Sequence, residues 1–310
     1  MTSLRVPAAP TMPVAATAAP WPALLKATRP RQWLKSVLVL AAATAAGILP
    51  RPDVLGVVVA AMAAFTVTAA GCYLINDVID RDLDRAHPVK RFRPIASGAV
   101  SPRRALLLGA FLVGTGSVLA ALQSPALLMV IAGYAATTLA YAVRLKAVAW
   151  LELGIVASGF LLRALAGVVA ASVPASSWFL LVVTAAAVMI TVSKRLSEIV
   201  EARSDPARIR PVLRRYRLAD LRRARGAAAA VLVLAYAGWA LTRPTIASVV
   251  LAALSLVPLT GVVWLWIRRS DQGRAGAPED LLLGDRTMAV LVLAWVLAYL
   301  AAVTAVVGGH

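Results

Sequence analysis

One cysteine and two histidines in 310 residues exclude several chemistries at once. Cys72 has no second thiol for an intrachain disulfide, and its place inside an apolar stretch makes it a packing residue. One thiol with His87 and His310 is also too little for a zinc site built from thiolates and imidazoles. Charge is scarce. Only 15% of the residues are Asp, Glu, Lys or Arg, 61% are hydrophobic, and the mean hydropathy is +0.81. That balance implies an all-α, polytopic integral membrane protein. Acids are scarcer still, 14 against 32 Lys and Arg, for a net charge of +18. A soluble chain with that surplus would suggest nucleic acid. Here the charge lies between apolar spans, with no nucleic-acid-binding motif and no basic face interleaved with aromatics, so no nucleic-acid partner is expected. Anionic membrane lipids are the expected surface partner. The first twenty residues have no compact apolar core or cleavage pattern of a secretory signal. Residues 1–23 read as a disordered cytoplasmic tail and 24–310 as a single transmembrane domain.

A membrane-crossing helix needs about 20 mostly apolar residues. Nine such stretches are present, near 33–50, 54–76, 104–122, 125–143, 147–170, 176–194, 226–242, 245–267 and 287–308. The connections alternate between tight turns and the long charged segments 77–103, 195–225 and 268–286. Lys and Arg decide the orientation: 29 of the 32 fall on one side, Arg51 and Arg243 on the other, and Arg163 inside a span. The expectation is a multi-pass protein of the inner (plasma) membrane, with a cytoplasmic amino terminus, long cytoplasmic loops and an external carboxyl terminus. A homo-oligomer is compatible with this pattern. Gly114 and Gly116 within one span read as helix packing rather than a phosphate loop.

The scarce acids are not scattered. Asn76-Asp77-Val78-Ile79-Asp80-Arg81-Asp82-Leu83-Asp84 ends the second span, and Arg85, His87, Lys90, Arg91 and Arg93 follow at once. On a helix, Asn76, Asp80 and Asp84 share one face. Oxygen ligands in such a row suit a hard cation such as Mg²⁺ that bridges to phosphate. The adjoining Arg and Lys suit the remaining phosphate oxygens. The segment therefore reads as a metal–diphosphate site.

The Asn-Asp-x-x-Asp-x-x-x-Asp pattern resembles the first aspartate-rich motif of the UbiA superfamily of intramembrane prenyltransferases, with Asn76, Asp77, Asp80 and Asp84 all matching. The resemblance implies a nine-helix bundle with a cytoplasmic cap, and ionisation of an allylic diphosphate with Mg²⁺ held at two acidic motifs. This chain departs from the second motif, reading Lys194-Arg195-Leu196-Ser197-Glu198 after the sixth span. Fixed positive charge in that place suits a substrate with more phosphate. The departure resembles one branch, the decaprenyl-phosphate phosphoribosyltransferases of bacteria that build arabinan cell walls. So do Arg29 to Lys35, Asp84 to Gly98, Tyr141 to Lys146, Ser158 to Ala164, and Pro278-Glu279-Asp280 with Asp285-Arg286.

That resemblance implies transfer of 5-phosphoribose from phosphoribosyl diphosphate to a polyprenyl (decaprenyl) phosphate, with release of diphosphate. Asn76, Asp77, Asp80 and Asp84 are the implied metal ligands, with Asp80 and Asp84 also the implied catalytic acids. Arg85, Lys90, Arg91 and Arg93 are implied to stabilise the leaving diphosphate, and His87 to be a hydrogen-bonding loop residue. Lys194 and Arg195 either hold the ribose 5-phosphate or are topological anchors. Arg29, Gln32 and Lys35 either hold a substrate phosphate or snorkel at the interface. Tyr141 and Lys146 either line the cavity or anchor the interface. Glu198 either replaces a metal ligand or orients Lys194 by an i, i+4 ion pair. Arg163, within a span, calls for a function or a buried partner, whereas Glu152 reads as interfacial. Glu279, Asp280 and Asp285 read as solvated loop acids or receivers of ribose hydroxyls. The basic residues from Arg208 to Arg225 read as a membrane-facing surface. Two rivals stand beside this reading: a UbiA-type enzyme passing a prenyl diphosphate to an aromatic or haem acceptor, and a lipid or ion transporter.

Overall fold

The computed structural model describes residues 20–202 and 211–307. Within them the chain is helical: α1 Pro20–Ala27, α2 Pro30–Trp33, α3 Ala41–Ala45, α4 Pro52–Ile79, α5 Arg81–Ala86, α6 Pro102–Gln123, α7 Pro125–Val143, α8 Leu151–Ala170, α9 Ser177–Ala202, α10 Leu218–Leu241, α11 Ile246–Asp271, α12 Pro278–Gly284 and α13 Arg286–Val307. Eight of these are long and apolar enough to cross a membrane. Their starts follow from local chemistry. Proline opens α4, α6 and α7, where its missing N–H costs nothing. Ser101 and Ser124 cap the backbone of α6 and α7, and Thr245 with Ser248 forms a capping box on α11.

The ninth expected span, 33–50, is not one helix. It is built from α2, a 3₁₀ run Leu34–Leu40 and α3. The reason lies in its contact with α8. A Cβ on Gly167 would sit 1.9 Å from the Val39 carbonyl oxygen, so the 3₁₀ segment lies directly on the α8 backbone. A second close approach joins α4 to α6, where a Cβ on Gly71 would meet the Gly109 carbonyl at 2.6 Å. Gly116 does serve helix packing, against Ala64 and Thr68 of α4, while Gly114 faces open space.

Small residues on α4 (Ala61, Ala64, Ala69 and Cys72) pack with Phe65, Ile131, Tyr134 and Ala166 into one core. A second core joins α9, α10, α11 and α13 around Met189, Leu232, Trp266 and Met288. Leu107, Phe111, Leu122, Leu234, Leu254 and Val290 stay exposed on the outer faces, as lipid-facing side chains do.

Residues 1–19 of the expected tail, and His310, lie outside the described residues, while Pro20–Ala23 begin α1. Arg208 and Arg210 lie outside them too. Arg225, expected on a membrane-facing surface, is instead buried. It binds Asp271 through both terminal nitrogens at 3.1 Å and donates to Ser270 Oγ, tying α10 to α11.

Candidate active site

The acid segment does not continue as one straight helix. Asp80 adopts φ −86°, ψ 0°, ending α4, and α5 restarts at Arg81. Backbone bonds from Asp80 N to Asn76 O and from Asp84 N to Asp80 O carry the i, i+4 spacing through the break. The side chains nevertheless part into two groups. Asn76 Nδ2 donates to Asp80 at 3.3 Å, and Lys146 closes an ion pair on the same carboxylate. Asp77 and Asp84, both buried, share Arg93, whose Nη1 lies 3.2 Å from Asp77 and 2.6 Å from Asp84. Asp77 also takes Arg29, which stacks over the Tyr73 ring at 5.3 Å.

Arg29 makes that contact from a left-handed backbone, φ 57°, ψ 66°, at the start of α2. A non-glycine residue held there is strained, and such strain persists only where surrounding contacts over-determine it. The rest of the amino-terminal strip grips α12 instead. Gln32 donates to Glu279, Lys35 pairs with Glu279 at 3.5 Å, and Arg31 pairs with Asp280 at 3.2 Å. Glu279 is therefore a buried partner of the strip rather than a solvated loop acid. Asp285 is held by Arg269 and by the backbone N–H groups of Met288 and Thr287, which keep its carboxyl below the usual range.

Arg85 donates through Nε to the Ala96 carbonyl at 3.0 Å, and Arg91 stacks on the exposed Phe92 ring. Lys90 closes the same loop, where His87 Nδ1 accepts from the backbone N–H of Val89 and Lys90, as expected of a loop histidine. Arg163 is buried inside the bundle without a carboxylate partner among the described residues. It is held between the Phe65 and Tyr134 rings, at 5.0 and 4.8 Å, and donates to the Gly159 carbonyl and Tyr134 hydroxyl.

The second group of charges centres on Arg195, which is 2% exposed. Its Nε and Nη2 meet Glu152 at 2.6 Å each, Nη2 also meets the Tyr141 hydroxyl at 3.3 Å, and Nη1 meets the two Glu198 oxygens at 2.8 and 2.7 Å. All five guanidinium donors are engaged. Glu152, read from sequence as interfacial, is 1% exposed and is the anchor of this group. Tyr216 donates to it at 3.0 Å and accepts from the Trp150 backbone N–H at 3.1 Å. Burial, assisted by the Glu152 charge, pushes the Tyr216 phenol up to about 12, so it remains a neutral donor. Trp150 holds φ 67°, the second strained position beside a charged group. Glu198 pairs with Arg195 at i, i−3, and Lys194 beside it on the same helix is half-buried. Glu152 and Tyr216 are the residues that sequence reasoning missed. A lone acid in Trp150-Leu151-Glu152-Leu153, set in an apolar stretch, was the available signal.

Among the described residues no three Asp, Glu, His or Cys side chains converge into a metal cage. Mg²⁺ asks for less, since one or two carboxylates, substrate phosphates and waters usually complete its shell. Asn76 and Asp80, half-buried at the rim, are a donor set of that kind.

Residues 35–282 match the model of the UbiA prenyltransferase family. The chain belongs to the UbiA family. It is 40% identical over 285 residues to a decaprenyl-phosphate phosphoribosyltransferase from Mycolicibacterium smegmatis, covering 88% of this chain and 90% of that protein. A Corynebacterium glutamicum protein of the same name is 37% identical over 90% of this chain and 86% of its own length. A UbiA homolog from Archaeoglobus fulgidus, solved with GPP and Mg²⁺, superposes with a TM-score of 0.70 at 19% identity, over 92% of this chain and 99% of the other.

Proposed function

We propose that this UbiA protein is a Mg²⁺-dependent decaprenyl-phosphate phosphoribosyltransferase, moving 5-phosphoribose from phosphoribosyl diphosphate to a long polyprenyl phosphate and releasing diphosphate. The product would serve as a precursor of cell-wall arabinan. The observation that carries this reading is the second charged group. Where a second aspartate-rich motif would be expected, this chain has Lys194 and a buried Arg195 held by Glu152, which supports a donor richer in phosphate.

Asn76 and Asp80, with Asp77 and Asp84 behind them, would hold Mg²⁺, which supplies positive charge to the leaving diphosphate. Arg29, Arg93 and Lys146 already neutralise the acids and stand beside the same place, ready to donate to diphosphate oxygens. Arg85, Lys90 and Arg91 line the loop above. Gln32 and Lys35 serve the acceptor or donor phosphate from the α12 side, and Tyr141 and Lys146 bridge the two charged groups. The acceptor phosphate is already an anion at neutral pH, so no general base is needed. Carboxylates near the anomeric carbon favour its oxocarbenium character. The acid motif and the amino terminus face the cytoplasm of an inner membrane in this reading, because 29 of 32 basic residues lie on that side.

The test is transfer of label from phosphoribosyl diphosphate into an extractable lipid by the purified protein with Mg²⁺ and decaprenyl phosphate. Label in the lipid and stoichiometric diphosphate are expected. Activity with a prenyl diphosphate on an aromatic acceptor, and none with phosphoribosyl diphosphate, would reverse the assignment.

A further inference from the structure

Arg195 has two unequal sides. Its Nε–Nη2 edge is locked, because Glu152 binds it with two oxygens and is itself held by Tyr141 and Tyr216. Tyr216 is in turn placed by the strained Trp150. Among the described residues its Nη1 edge meets only Glu198, one turn further along the same helix. The Glu198 side chain is 22% exposed, against 1% for Glu152. While Glu198 holds Nη1, an arriving phosphate must compete with its carboxylate for that edge.

We propose that Glu198 is a stand-in anion: it occupies the seat of the donor's 5-phosphate on Arg195 Nη1 and is exchanged for that phosphate on binding. Glu152 is the positioning residue that holds Arg195 with its Nη1 edge presented. The inference rests on the proposed phosphoribosyl transfer. Two carboxylate oxygens at 2.8 and 2.7 Å from one nitrogen mark the position that two phosphate oxygens would take. When Glu198 leaves, Arg195 and Glu152 remain as a neutral pair, and the incoming dianion meets an uncancelled N–H edge. The exchange also acts as a filter. An anion too weak to displace Glu198 gains nothing from Arg195, which favours a phosphomonoester over a carboxylated or neutral sugar.

The experiment uses the full-length protein in lipid nanodiscs with decaprenyl phosphate and Mg²⁺. Donor KM and kcat are measured for wild type, Glu198→Gln, Glu152→Gln and Glu152→Asp. Inhibition constants for ribose 5-phosphate and inorganic diphosphate are measured alongside. Removing the competing charge should lower the KM of Glu198→Gln for phosphoribosyl diphosphate by roughly three- to tenfold, with kcat within about twofold. Its inhibition constant for ribose 5-phosphate should fall in parallel, and that for diphosphate should stay put. Glu152→Gln should raise donor KM by about tenfold or more, with Glu152→Asp recovering part of the loss. An unchanged or raised donor KM in Glu198→Gln would overturn the inference, as would an equal fall for both inhibitors. Should Glu152→Gln fail to fold, Glu198→Gln decides alone. A wild-type protein that transfers no phosphoribose would sink the proposed function and this inference with it. Transfer by wild type without the Glu198→Gln effect would sink the inference only.

Discussion

Lys146 and Asp80 form an ion pair across 66 residues of chain. Lys146 stands in a 3₁₀ turn between α7 and α8, and Asp80 at the break between α4 and α5. The two helices that this connection joins bring Tyr141, at the end of α7, and Glu152, at the start of α8, to Arg195. One short connection thus joins the acid-rich group to the arginine-centred group, and both charged ends of the reaction would be set by it.

Lys146→Met should lower kcat/KM for phosphoribosyl diphosphate by about tenfold, on the order of 1.4 kcal/mol of transition-state stabilisation. Lys146→Arg should keep more of the activity, since it preserves charge but not reach. Initial rates at varied donor concentration check both. Wild-type kcat/KM in the methionine variant would mean that Lys146 only caps Asp80.

Asp80→Asn and Asp84→Asn should each reduce turnover at least tenfold, about 1.4 kcal/mol or more. Asp80 is only half-buried, whereas Asp84 is buried against Arg93, so yield and thermal stability in detergent should be close to wild type for Asp80→Asn. Excess EDTA should abolish wild-type activity and Mg²⁺ should restore it. Undiminished rates in EDTA would remove the metal from the mechanism.

The strip carrying Gln32 and Lys35 closes on Glu279 of α12. Lys35→Ala, Glu279→Ala and the double variant form a cycle whose coupling should be about 0.5–3 kcal/mol in thermal or denaturant unfolding. Additive losses would show that the two side chains are neighbours without mutual support.

Gly167→Ala tests the bundle rather than the chemistry. The added Cβ would lie 1.9 Å from the Val39 carbonyl, which is backbone and cannot rotate away. Overpacking of this kind costs about 1–3 kcal/mol, so the unfolding temperature should drop. Gly114→Ala, at a position facing open space, is the control and should be neutral or slightly stabilising.

The family, the membrane spans after the first and the acid-rich centre were all legible in the chain, because each is written in adjacent residues. Runs of apolar side chains give α4 and α6–α11 and α13, and Asn76 to Asp84 stand together in nine positions. The broken segment at 34–45 was not legible. It is as apolar as a spanning helix, and its 3₁₀ course comes from lying against Gly167, over a hundred residues away. The even row of Asn76, Asp80 and Asp84 was only half right, because Arg93 draws Asp84 towards Asp77 while Lys146 holds Asp80.

Hydropathy and charge by themselves determined an all-helical membrane protein with its acids gathered at one end of α4. They did so because burial in lipid and the periodicity of a helix act on neighbours in sequence. Which acid answers which cation was decided only in three dimensions. Glu152 looked like an interfacial residue and Arg195 like either a phosphate ligand or a topological anchor, yet each is the other's principal partner, 43 residues apart. A buried charge must find a counter-charge or lose several kcal/mol, and the helices that bring α8 and α9 side by side supply it.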